Sequence, residues 1–85
     1  MNYTTSQLAE ITNSQLIGNE NLYVKSLAYD SRIIFSTIDI AFIAINSFKN
    51  SGEKYINEAI EKGVSIIISA HQIFEHPNIT WIITE

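Results

Sequence analysis

The stretch from Ile40 to Ser69 constrains the fold of this chain more than any other part of it. Ile40-Ala41-Phe42-Ile43-Ala44-Ile45 is six consecutive apolar residues, which suits a strand covered on both faces. From Gly52 to Lys62 the period becomes helical. Tyr55, Ile56, Ala59 and Ile60 fall on one face, and Glu53, Lys54, Glu58, Glu61 and Lys62 largely on the other. Gly63 stands where a left-handed C-terminal cap belongs, and Val64 to Ser69 reads as a second apolar strand. Strand, helix and strand with short connections form a βαβ unit, whose crossover is right-handed in nearly all proteins. The predicted class is therefore α/β, a small, mostly parallel or mixed sheet with helices packed on it.

The flanking segments extend that unit. Thr4 and Gln7 are spaced as a capping box, with Tyr3 and Leu8 at the two positions of a hydrophobic staple. They predict a short first helix with Leu8, Ile11 and Ala9 facing inward and Asn13 as its stop. Leu16-Ile17 runs into Gly18-Asn19-Glu20-Asn21, residues that tight turns need, with a short strand on either side, the second from Val24 to Tyr29. Thr80-Trp81-Ile82-Ile83-Thr84 is a further strand after Pro77-Asn78, and places Trp81 in a core or an interface. The Ile excess, 17 against four Leu, favours strands through β-branching. With 85 residues, no internal repeat and no linker-like stretch, residues 1–85 read as a single domain.

Charge and residue inventory exclude several functions. Nine acids against four Lys and the single Arg32 give a net charge of -4, a poor balance for tracking a phosphate backbone, so nucleic acid is not an expected partner. Without Cys there is no disulfide framework, thiolate zinc site or Cys nucleophile, and a reducing, cytoplasmic setting is expected. No apolar run approaches the roughly 20 residues of a membrane span, and Met1-Asn2-Tyr3-Thr4 lacks the basic flank of a signal peptide. Membrane association is therefore not expected. His71 and His76 are five apart with only Glu75 close by, which does not make a metal site. Gly18, Gly52 and Gly63 cannot form a P-loop, and no Gly-x-Ser-x-Gly elbow is present. No catalytic residue is assigned.

In open α/β sheets ligands bind beyond the carboxyl ends of the strands. Two loops qualify, Asp30-Ser31-Arg32 after the Val24–Tyr29 strand and Asn46 to Ser51 after the central one, and they share one edge if both strands point the same way. Asp30 and Ser31 are turn formers that bond nearby amides, and Arg32 offers a fork of donors suited to phosphate or a planar base. Taken alone, those three residues fit an ordinary turn with a surface arginine better. The second loop carries Lys49 and enters a helix whose N-terminal amides favour anions. It also fits a plain βα connection capped by Asn50 or Ser51.

Taken in order, these segments resemble the N-terminal domain of the Mur ligases, enzymes that add amino acids to UDP-N-acetylmuramic acid in peptidoglycan synthesis. Asp30-Ser31-Arg32 follows a short strand, and Phe42-Ile43-Ala44-Ile45 stands where the family has Phe-Val-Ala-Leu. The likeness continues ungapped through Gly52, Tyr55-Ile56, Ala59 and Lys62-Gly63-Val64, against the family's Asp-Gly-His-Asp-Phe-Ile, Ala and Gly-Ala. It covers positions 30 to 70 as one collinear block. Ser47, Ser51 and Glu53 depart from the family's Gly, Asp and His. The ten residues from Asp30 to Asp39 resemble the longer connection of the D-alanyl-D-alanine-adding ligase, in particular the form fused to an alanine racemase.

The resemblance implies a domain that binds the UDP part of UDP-N-acetylmuramoyl-peptide. Ser31 and Arg32 would contact the uridine diphosphate, Asp30 would fix the turn, Ala44, Ile45, Asn46 and Ser47 would line uracil and ribose, and Gly52 would give backbone access at the helix start. It also implies downstream ATPase and C-terminal domains in the same chain, so the domain alone would be inert while the parent is an ATP-dependent ligase. No cofactor is expected in this domain. ATP and Mg would serve the parent, with pyridoxal phosphate if a racemase is fused. Two alternatives stand beside this reading: the sister ligase that adds the third amino acid, and a small α/β protein-interaction module without nucleotide binding.

Overall fold

The computed structural model describes residues 2–29, 38–44, 51–70, 75 and 77–84. In chain order the elements are β1 (Tyr3–Thr4), α1 (Thr5–Ile11), β2 (Gln15–Ile17), β3 (Tyr23–Val24), β4 (Ser26–Ala28), β5 (Ile40–Ala44), α2 (Ser51–Glu61), β6 (Ile66–Ser69) and β7 (Thr80–Ile83).

Local chemistry sets the helix ends. The Gln7 amide donates to Thr4 Oγ1 at 3.1 Å and the Thr4 amide to Gln7 Oε1 at 2.9 Å, which closes the predicted capping box. Two further orphan donors of that turn, the amides of Thr5 and Ser6, reach the carbonyls of Leu22 and Glu20 at 2.8 and 3.1 Å. Both helices end in the same way. Asn13 (φ 54°) and Gly63 (φ 107°) leave the helical region, and the two amides that follow each cap turn back onto the last carbonyls. Asn13 and Ser14 donate to Glu10 and Ala9, Gly63 and Val64 to Ile60 and Ala59. Val64 thus belongs to the cap of α2, and the strand predicted from that residue begins at Ile66.

The main sheet has the order β2-β7-β6-β5-β4. Strands β4 to β7 are parallel, while β2 pairs antiparallel with β7 through Gln15↔Ile83, Leu16↔Ile82 and Ile17↔Trp81. The α/β class with a mixed sheet therefore stands. The two strands around the Gly18 turn do not pair with each other, and the second is divided. Tyr23–Val24 joins β1 in a separate antiparallel ribbon, and Ser26–Ala28 becomes the edge strand β4. The break falls at Lys25, where the amides of Lys25 and Ser26 both donate to the Asp39 carbonyl, at 2.7 and 3.3 Å.

Each face of the sheet carries one helix. Ile56 and Ala59 of α2 pack with Ala28, Phe42, Val64, Ile67, Ile79 and Trp81, while Leu8 and Ala9 of α1 pack with Val24, Ala41, Ile66, Ile68 and Ile82. Alternate residues of β5 and β6 thus serve opposite cores, which is why their sequences are apolar without alternation. Trp81 is fully buried in the α2-side core. Ile11, predicted to face inward, is 62% exposed. The buried stripe of α1 is Thr5, Leu8 and Ala9, and Ile11 lies about 100° round the helix from the Thr12 position that continues it. Tyr55 likewise sits outside, and Ile60 is half-buried.

Candidate ligand site at the carboxyl edge

The parallel strands bring their carboxyl ends to one edge of the sheet. Ala44, Ser69 and Ile83, the last residues of β5, β6 and β7, are level with one another, and Gln15 at the start of β2 lies opposite Ile83. Strand β4 ends at Ala28, opposite Phe42. Because β4 and β5 run the same way, the chain leaves both at this edge, so the condition that joined the two candidate loops is met.

Ala44 is half-buried, and its methyl packs on the α2-side core. Gly52 lies in the first turn of α2. Asp30, Ser31, Arg32, Ile45, Asn46 and Ser47 lie outside the described residues, as do Lys49, Asn50, His71 and His76. Helix α2 follows β5 and returns the chain to the start of β6, so its N-terminus belongs to the carboxyl edge, the polarity that favours an anion there. Helix α1 offers no such end, because the amides of Thr5, Ser6 and Gln7 already have protein partners.

The opposite edge is built for stability. The Asn19 amide donates to Thr80 Oγ1 at 3.0 Å and Thr5 Oγ1 donates to the Asn19 carbonyl at 2.6 Å. Lys25 Nζ lies 3.7 Å from Asp39 Oδ2, with Lys25 well exposed. Among the described residues no group of three His, Asp or Glu side chains stands together to hold a metal. No described helix is long and apolar enough to cross a membrane.

The carboxyl edge also has a feature that sequence reasoning missed, a depression lined by Thr12, Asn13, Gln15, Ile83 and Thr84. It joins the C-terminal cap of α1 to the last strand. The only local signal for it was Asn13 as a helix stop, and the antiparallel β2–β7 pairing that closes it is not written in any local pattern.

Comparison with known proteins adds to this geometry. No family model matches the chain. Over 71 residues it is 38% identical to the UDP-N-acetylmuramoyl-L-alanyl-D-glutamate--2,6-diaminopimelate ligase of Alkaliphilus oremlandii, a match covering 84% of this chain and 14% of the relative. The chain is similar to one part of a Mur ligase. The ligase of the same name from Caldanaerobacter subterraneus is 34% identical over 71 residues, with the same coverage. That from Alkaliphilus metalliredigens is 31% identical over 75 residues, 88% of this chain and 15% of the relative. The chain thus spans about one seventh of the length of the Mur ligases it matches. These relatives are named for diaminopimelate and not for D-alanyl-D-alanine, so the comparison favours the sister ligase over the D-alanyl-D-alanine-adding one that the Asp30 to Asp39 connection suggested.

Proposed function

We propose that this chain is a UDP-substrate-binding domain of a Mur ligase of peptidoglycan synthesis, of the kind that adds the third amino acid to UDP-N-acetylmuramoyl-dipeptide. The observation that carries the reading is the 38% identity over 71 residues with a ligase named for that substrate and for diaminopimelate. The shared carboxyl edge of β4 and β5 supports it, since both candidate loops leave the sheet there.

In this reading Ser31 and Arg32 hold the uridine diphosphate, Asp30 fixes their turn, and Ala44, Ile45, Asn46 and Ser47 border the nucleoside. Gly52, in the first turn of α2, admits the ligand to the helix amides. The domain's contribution is positional. It anchors the nucleotide end so that a distant carboxylate, activated with ATP and Mg by further domains, meets the incoming amine in a reactive geometry. Those domains are part of the proposal, and no P-loop is present within these 85 residues. A racemase fusion and its pyridoxal phosphate belong to the D-alanyl-D-alanine form and have no support from these relatives.

Titration of the 15N-labelled chain with UDP-N-acetylmuramoyl-L-alanyl-D-glutamate tests the reading. Saturable shifts are expected at Ser31, Arg32 and Asn46 to Gly52. Their absence at millimolar ligand overturns it.

A further inference from the structure

We draw no further inference here: the strongest candidate, the groove along the outer face of α1 lined by Tyr3, Gln7, Glu10 and Ile11, is an exposed surface and nothing in the structure shows what covers it.

Discussion

The amide of Asn19 donates to the Thr80 hydroxyl at 3.0 Å, tying the turn after β2 to the first residue of β7. Gly18 makes that closeness possible. A Cβ there would lie 2.9 Å from both Cα and Oγ1 of Thr80 and 3.2 Å from the Ile79 carbonyl oxygen, at a φ of 122°. Gly18→Ala is expected to destabilise the domain by about 2–3 kcal/mol, through overlap with the Thr80 backbone and strain at a conformation that side chains avoid. Thr80→Val, which keeps the shape and removes the acceptor, is expected to cost about 1–2 kcal/mol. Urea unfolding of both variants checks this, and a Gly18→Ala protein as stable as the parent would refute the tight approach.

The helix caps give a graded series. Thr4→Ala removes the acceptor for the Gln7 amide and is expected to cost about 1 kcal/mol. Asn13→Gly should be nearly neutral, since both residues adopt positive φ, whereas Asn13→Val should cost about 1–2 kcal/mol. In a domain of this size each kcal/mol moves the melting temperature by roughly 4–8 °C, so thermal melts followed by far-ultraviolet circular dichroism resolve the order.

Ile67 lies at the centre of the sheet, fully buried on the α2 side. Ile67→Val is expected to cost about 1 kcal/mol and Ile67→Ala about 3–4 kcal/mol. Against a total stability on the order of 5–10 kcal/mol for a small domain, the second change leaves a marginal fold, visible as a large fall in the urea midpoint.

Asp39 makes two different contributions that substitution separates. Its side chain meets Lys25 in an exposed pair, so Lys25→Met should change stability by less than about 1 kcal/mol. Its backbone sits at φ 56° while its carbonyl accepts from Lys25 and Ser26. Asp39→Gly is therefore expected to be tolerated and Asp39→Val to cost about 1–2 kcal/mol. Equal loss in the Gly and Val variants would show that the ion pair, not the backbone, matters.

For the proposed nucleotide site, Arg32→Ala should weaken UDP-substrate binding at least about tenfold and leave the melting temperature within a few degrees of the parent. Arg32→Lys should not restore it, because a point charge does not reproduce a planar fork of donors. Calorimetric titration of the three proteins provides the measurement.

How much of this was legible in the sequence depends on how far apart the interacting groups lie. Thr4 and Gln7, or Gly63 and the apolar face before it, speak within one helical turn, and the capping box and the α2 cap were read correctly. The βαβ unit was legible because a strand covered on both faces leaves an unbroken apolar run at Ile40 to Ala44. Val24 to Tyr29 misled for the opposite reason. Its residues have one β-favouring character, and the division at Lys25 is imposed by the carbonyl of Asp39, fourteen positions later. Ile11 misled because a short helix buries only a narrow stripe, and one residue of phase separates inside from outside.

The order of the candidate site residues was fixed by sequence alone, and with it the likeness to the Mur ligases that their spacing carries. What only the tertiary structure decided is that β4 and β5 run parallel, so that the chain leaves both at one edge, and that β2 folds against β7 to place Asn13 and Gln15 beside Ile83 and Thr84. Parallel pairing and the β2–β7 register are long-range choices, made by which surfaces two helices on opposite faces can cover. No local pattern in the chain records them.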